Sequence, residues 1–161
     1  MAKTYEPIAT HTLGSAAADY TFSSIAGTYT DLIVILNASQ TTAGFSTLMR
    51  FNSDTGSNYS GTAIAGSGSA ATSSRTTSST SIYLGYQGTT TIFTTIVQIQ
   101  NYSNSTTNKT CLTRKNQSDS FVEAMAGLWR NTAAITSITL LPESGNFATG
   151  STFTLYGIKA A

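Results

Sequence analysis

The side chains of this chain that could do chemistry are few, and their spacing matches no known catalytic set. His11 is the only histidine, in the strand-like run Thr10-His11-Thr12. A Ser-His-Asp triad needs a nucleophile whose base is oriented by an acid, and no Gly-x-Ser-x-Gly elbow precedes a helical pattern. Serine is so frequent that a chance pairing with His11 carries no information. We therefore expect no catalytic role for His11.

A short acidic motif, Asp54-Thr55-Gly56, resembles one half of an aspartic-protease site. That chemistry needs two carboxylates that share a proton, and the motif has no second copy. Together with Asn52 and Asn58, Asp54 also offers oxygens at a loop spacing that suits Ca²⁺, but the bidentate Glu of an EF-hand is missing. A turn closed by Asp54 and Gly56 explains the motif. We expect no metal here.

The remaining acids and the cysteine are also poorly placed for catalysis. A glycosidase needs two carboxylates that flank its substrate, and none of the acids lies in an aromatic-rich motif. The acids are Glu6, Asp19, Asp31, Asp54, Asp119, Glu123 and Glu143. The chain has no Gly-x-x-x-x-Gly-Lys phosphate loop, and the single Cys111 excludes an intramolecular disulfide and a cysteine zinc cluster. The sequence predicts a protein that is not an enzyme and binds no cofactor.

The composition excludes several kinds of partner. Charged residues make up 9% of the chain, against about 25% in an ordinary domain, and Ser and Thr make up about a third. The net charge is +1, without the concentrated basic face of a nucleic-acid-binding protein. The longest strongly apolar run, residues 32–36, is far shorter than the roughly 20 residues of a membrane span. The polar N-terminus does not predict a signal peptide. We expect no nucleic acid and no membrane as partners.

The pattern of β-branched and aromatic residues predicts strands throughout the chain. Such residues suit a pleated, half-buried surface, and helical periodicity is nearly absent. Many short strands separated by turns are typical of a sandwich or barrel. The sequence predicts one domain, residues 1–161, folded as an all-β antiparallel sandwich, with a jelly roll as the favoured arrangement. The predicted strands are 5–13, 17–22, 31–39, 46–51, 81–87, 91–102, 107–114, 121–129, 135–141 and 151–159.

The last strand has large side chains on both faces. Phe153 and Leu155 alternate with Tyr156 and Ile158, a pattern typical of strands that are buried on both sides. We expect this strand to lie inside the sheet or at a subunit interface.

The segment 52–80 is rich in Gly, Ser and Thr and has few apolar anchors. A loop of this length is unusual in a compact domain. It either holds short irregular pieces or extends as an arm that becomes ordered against a partner, and the second interpretation is favoured. The predicted partner-contacting residues are Asn52, Asp54, Asn58, Tyr59 and Arg75.

Several segments together match a known pattern. They are Thr4-Tyr5-Glu6-Pro7-Ile8-Ala9, Thr12-Leu13-Gly14-Ser15, Phe22-Ser23-Ser24-Ile25, Tyr29-Thr30-Asp31-Leu32, Arg50-Phe51-Asn52-Ser53-Asp54, Asn58-Tyr59-Ser60 and the closing residues 145–158. In them the chain resembles small virion structural proteins of tailed bacteriophages and cyanophages. The closing Gly-Ser-Thr-Phe-Thr-Leu-Tyr-Gly-Ile is the most specific part. The resemblance excludes about 62–80 and 103–120, and it brings no catalytic residues.

The resemblance implies a capsid decoration (cement) protein that clamps the major-capsid lattice. Its expected partners are the major capsid protein and further copies of itself, with a trimer as the favoured oligomer. Its expected location is the capsid exterior of a virion, after synthesis in the host cytoplasm. The alternative is a tail-fibre or receptor-binding module that recognises host glycans through Tyr and Asn.

Overall fold

The computed structural model describes residues 4–159, and this part of the chain forms twelve strands and no helix. None of these residues therefore forms a helix that could cross a membrane. In chain order the strands are β1 (Tyr5–Thr12), β2 (Tyr20–Phe22), β3 (Asp31–Ala38), β4 (Phe45–Phe51), β5 (Tyr59–Gly66), β6 (Ala71–Ser79), β7 (Ile82–Gln87), β8 (Phe93–Gln100), β9 (Lys109–Gln117), β10 (Phe121–Trp129), β11 (Ile138–Pro142) and β12 (Thr152–Ile158).

The strands form two sheets of unequal width. The large sheet has eight strands in the order β1-β12-β3-β8-β9-β10-β5-β6, and the small sheet has four in the order β2-β11-β4-β7. Every pairing within them is antiparallel. The predicted all-β antiparallel sandwich is confirmed. The jelly roll is not confirmed, because the described residues divide eight and four instead of forming the eight strands of that fold.

The core lies between the two sheets. It is formed by buried side chains that alternate along each strand with side chains on the outward face. In β8, for example, Phe93, Val97 and Ile99 are buried, while Gln98 between them is exposed. Because successive side chains of a strand point to opposite faces, one face of β8 lies against the small sheet and the other faces outward. The same alternation in β3, β11 and β12 buries one apolar row from each strand.

The strand β12 lies in the interior of the large sheet, hydrogen-bonded to β1 on one side and to β3 on the other. Phe153 and Leu155 point into the core and are fully buried. Tyr156 and Ile158 point to the outer face and are half-buried.

The prediction of a loop at 52–80 is wrong for most of the segment. Residues 59–79 form a hairpin, β5 and β6, whose first strand pairs with β10 along its whole length. Small residues make this pairing possible: Gly61 packs beside the carbonyl of Ala126, and Ala63 is buried against the core face. The Gly, Ser and Thr content that indicated flexibility instead supports closely packed strands, since Thr is β-branched and favours a sheet.

The hairpin overhangs the small sheet. The edge strand β7 packs on β10, β9, β8 and β5, whereas β6 pairs with β5 alone and eight of its nine residues are exposed. The large sheet therefore ends in a strand that is uncovered on both faces and unpaired along its outer edge.

Candidate functional site

Of the residues considered for catalysis, His11, Asp54 and Cys111 lie apart from one another, whereas Glu123 and Glu143 line two adjoining cavities described below. His11 is exposed on β1 and stacks on the ring of Tyr20, with ring centroids 4.7 Å apart. Burial raises the pKa of the Cys111 thiol to about 12, so that it stays protonated and unreactive. Within residues 4–159, no group of three or more His, Cys, Asp or Glu side chains is placed to hold a metal ion.

The turn between β4 and β5 is fixed by the carboxylate of Asp54. Its oxygens accept hydrogen bonds from Trp129 Nε1 at 2.7 Å, Asn58 Nδ2 at 2.9 Å and the Gly56 N–H at 2.8 Å. These bonds, that of Trp129 first, lower the pKa of Asp54 below its ordinary value. Since the carboxylate is already satisfied by protein donors, the turn has a structural role.

Two further predicted contact residues anchor the same turn. The side chain of Asn52 accepts hydrogen bonds from the N–H groups of Thr136 and Ser137 and donates one to the carbonyl of Ala134. Tyr59 is fully buried, and its hydroxyl bonds the backbone of Phe51. The prediction that Tyr59 contacts a partner is wrong, because its side chain belongs to the core.

Replacing Asp54 by Asn is expected to lower the free energy of unfolding by about 1 kcal/mol at pH 7, the ordinary value for one hydrogen bond. The effect is no larger because the carboxylate is only half-buried. A lowered folded-state pKa gives a stabilisation that is present above the unfolded value, about 3.9, and is lost as the pH falls through the folded value. Urea titrations at pH 7 and pH 3 should therefore show that the free energies of unfolding of the unchanged chain and of Asp54→Asn differ less at pH 3. Asp19→Asn, at an exposed position, is the control. If Asp54→Asn lowers the free energy of unfolding by the same amount at pH 3 as at pH 7, the Asp54 carboxylate does not stabilise the turn as proposed.

A buried polar network lies where β7, β9 and β10 meet. Tyr83 donates to Glu123 Oε1 at 2.6 Å, and the N–H of Tyr86 donates to Glu123 Oε2 at 2.8 Å. The ammonium of Lys115 lies 3.8 Å from the same Oε2 and donates to the carbonyl of Tyr86. Both charged side chains are almost fully buried. A Cβ at Gly85 would collide with Lys115, so only glycine lets β7 pass this closely.

Burial is the largest cause of the pKa shifts of Lys115 and Tyr83 in this network. It lowers the pKa of Lys115 to about 8, although the charge of Glu123 opposes the shift. Burial and the hydrogen bond to Glu123 raise the pKa of Tyr83. Tyr83 therefore stays protonated at neutral pH and acts as a donor, which makes it unsuited to general-base chemistry.

Sequence reasoning missed this network, although one signal was present. Lys115 alternates with Cys111 and Thr113 on the inward face of β9, while Leu112 is on the outward face. The hairpin register then places Glu123 directly opposite Lys115. The sequence pattern that could have indicated this network is a charged residue on the inward face of one strand, paired with an opposite charge on the inward face of the next strand of the hairpin.

A cleft opens between the overhanging hairpin and the small sheet; we call it the β6–β7 cleft. One wall consists of Ser74, Thr76 and Ser78 from β6, and the other includes Leu48, Tyr83 and Glu143. Ala63 and Met125 from β5 and β10 lie between the walls. Its volume is about 750 Å³, within the range of roughly 300–1,000 Å³ of small-molecule sites.

The cleft continues into a smaller recess of about 250 Å³ that shares Ala63, Ser74 and Tyr83 with it. Tyr86 and Glu123 line this recess. The two cavities together are lined by hydroxyls, tyrosine rings and two carboxylates, and no Lys, Arg or His lines either of them.

The outward face of the large sheet carries a group of uncovered apolar side chains. Residues paired in antiparallel register share a face. Ile64 pairs with Ala124 and is therefore a diagonal neighbour of Val122, whereas Leu112 pairs with Ala126 and lies further along the same face, beyond Arg114. Leu112, Ile64 and Val122 are 54%, 61% and 63% exposed; we call these three residues the outer patch.

Two arginines lie on the same face as the outer patch. Arg114 pairs with Ala124 on the same face, and Arg75 lies on β6 opposite Thr62. Both are exposed, and neither forms an ion pair within the described residues. Of the predicted contact residues, Arg75 is therefore the one that lies far from the Asp54 turn, on an open surface.

Comparison with known proteins gives only distant likenesses. No family model and no curated protein matches the chain. The chain is similar to exo-inulinase from Aspergillus awamori, with 12% identity and a TM-score of 0.47 over 96% of this chain and 29% of that one. It is also similar to the alginate lyase Aly36B in complex with alginate trisaccharide, with 10% identity and a TM-score of 0.33 over 93% and 80% of the two chains. These likenesses do not bear on whether this chain is catalytic.

Proposed function

We propose that the chain is a non-catalytic structural protein of a phage virion, a decoration protein that adheres to the major capsid protein and to copies of itself as a trimer. The observation that carries the proposal is the outer patch, three large apolar side chains that are each more than half exposed on one face of the large sheet. Ile64 and Val122 are neighbours on this face, and large apolar side chains that are exposed together mark interaction surfaces.

The charges around the outer patch indicate the kind of surface that covers it. Arg75 and Arg114 have no acidic partner within the described residues, so a capsid surface with Asp or Glu near an apolar centre would complement them. The low proportion of charged residues favours close packing between copies, because few ions must be desolvated when two copies come into contact. Many such contacts, repeated by symmetry, add to a large stabilisation of the lattice.

The alternative is a tail-fibre or receptor-binding module that recognises host glycans. It requires a polar cleft with aromatic rings, and the β6–β7 cleft with Tyr83 is the observation that favours it. The two functions differ in copy number: a decoration protein occurs in many copies per virion and a tail tip in few. Quantitative mass spectrometry of purified virions measures this number against that of the major capsid protein.

Val122→Glu is expected to weaken binding to capsids that lack the protein by about tenfold or more, because a charge is placed beside Ile64 in the proposed apolar contact. Add-back of purified protein to such capsids, followed by sedimentation, measures the bound fraction. Tyr5→Glu is the matched control, since Tyr5 is 54% exposed at the far edge of the same sheet. Equal binding by both variants would contradict the role of the outer patch, and few copies per virion would contradict decoration itself.

A further inference from the structure

We infer that the β6–β7 cleft binds a neutral oligosaccharide. The inference rests on the alternative function, glycan recognition at this cleft, and names its ligand class. It is separate from the proposed capsid attachment, because the cleft lies on the inner side of the overhanging hairpin and the outer patch lies on the opposite face. No described element of the chain fills the cleft, and its size suits a ligand of one or more sugar rings.

The chemistry of the walls selects the ligand class. Ser74, Thr76 and Ser78 give a row of hydroxyls that can each donate and accept, which matches the hydroxyls of a sugar. Tyr83 on the opposite wall adds a partly exposed aromatic ring, and such rings combine apolar area with a polar tip. The row spans about 13 Å along β6, at about 3.3 Å per residue.

The charges of the cleft exclude other ligands. Glu143 and Glu123 are lining residues, and no basic side chain lines either cavity. Anionic ligands such as uronates, sialylated glycans or nucleic acids would meet the carboxylate of Glu143, which has no cationic partner within the described residues, whereas Glu123 is paired with Lys115. An extended peptide would pair with the free edge of β6 or of β7 and would leave the row of hydroxyls on the cleft wall without matching groups. A neutral, hydroxyl-rich chain is the ligand that remains.

The rigidity of the cleft supports a preformed site. The hydroxyl of Tyr83 is held by Glu123 at 2.6 Å, and Glu143 accepts a hydrogen bond from the Ser46 N–H at 3.1 Å. Both bonds fix the wall opposite β6 before any ligand arrives. A preorganised wall reduces the ordering that binding must otherwise supply.

The test is titration of the isolated full chain with cellohexaose, mannohexaose and N-acetylchitohexaose, with hexagalacturonate as the anionic comparison. Binding is followed by amide chemical shifts in two-dimensional NMR. We expect at least one neutral hexamer to shift the resonances of Ser74, Thr76 and Tyr83, and hexagalacturonate to shift none. Ser74→Ala/Thr76→Val should weaken that binding about tenfold through the loss of two hydrogen bonds.

The matched control is Ser73→Ala/Thr77→Val, which removes two hydroxyls of the same exposed strand that do not line the cleft. Equal weakening by both double variants, tighter binding of hexagalacturonate, or no shift with any neutral hexamer at millimolar concentration would overturn the inference. None of these outcomes affects the capsid proposal, which depends on copy number and on Val122.

Discussion

Replacing Glu123 by Ala is expected to lower the free energy of unfolding by about 3–5 kcal/mol at pH 7, the usual cost of removing one partner from a buried ion pair. The variant leaves the ammonium of Lys115 buried without its counter-charge, and the hydroxyl of Tyr83 and the N–H of Tyr86 lose their acceptor. Urea unfolding, analysed by linear extrapolation, measures the loss.

The control is Glu6→Ala, which removes the other ion pair found within residues 4–159. Glu6 Oε1 lies 2.9 Å from Lys159 Nζ, but the two side chains are 31% and 47% exposed. Exposed pairs of this kind contribute about 0–1 kcal/mol. If Glu123→Ala costs no more than Glu6→Ala, the network around Lys115 does not stabilise the fold as its geometry indicates.

The same network predicts how stability changes with pH. The pKa of Lys115 is about 8 in the folded chain and about 10.4 when unfolded, so between these values the unfolded chain binds more protons. Lys115 should therefore make a contribution to the free energy of unfolding that rises with pH across this window, against the opposite contribution of Cys111, whose folded pKa is raised to about 12. Lys115→Met removes this titrating group, so the free energy of unfolding of the unchanged chain minus that of Lys115→Met should increase from pH 8 to 9.5; a difference that stays constant would contradict the prediction.

The core strands could be predicted from the sequence because their signal is local. In β8, buried Phe93, Val97 and Ile99 alternate with less buried neighbours, and a period of two in apolar residues is sufficient to place a strand and its inward face. The same holds for the alternation of Phe153 and Leu155 in β12.

The hairpin of β5 and β6 could not be predicted in this way. Eight of the nine residues of β6 are exposed, so no apolar alternation distinguishes it from a polar loop. Its structure comes from backbone pairing with β5, and β5 in turn depends on β10, some 60 residues later in the chain. A strand that is stabilised by backbone bonds to a distant partner leaves little trace in its own composition.

The candidate sites were harder to predict than the fold, because they depend on how the sheets are placed. The β6–β7 cleft is the space between β6, at the edge of the large sheet, and β7, at the edge of the small sheet. No local pattern in the sequence around Tyr83 or around Ser74 indicates that these two side chains lie on opposite walls of one cleft. The Asp54 turn shows the reverse case: the local motif was correctly interpreted as a turn, but its bond to Trp129, 75 residues away, could not be derived from spacing.

The strand β12 should be essential to folding, and Phe153→Ala is expected to lower the free energy of unfolding by about 3–5 kcal/mol. The ring of Phe153 is fully buried and packs on Phe147 and Tyr20, with centroids 5.0 and 5.1 Å away. Tyr20 is held in β2, and Phe147 is held by bridges to Ala17 and Gln40, so we expect neither ring to close over the cavity. Tyr156→Phe is the control on the half-buried face, where a change of about 0.5 kcal/mol or less is expected.

Truncation after Gly150 removes the strand altogether and should have a larger effect than any single substitution. It deprives β1 of its neighbour and exposes the edge of β3, whose Leu32, Val34 and Leu36 are fully buried. A domain with about 5–15 kcal/mol of total stability cannot lose two strand pairings and part of its core. We expect the truncated chain to be insoluble, or to lack the cooperative unfolding transition that circular dichroism detects in the full chain. A soluble truncated chain that unfolds cooperatively would mean that β12 is an accessory strand, and that the small sheet and the remaining strands form the core without it.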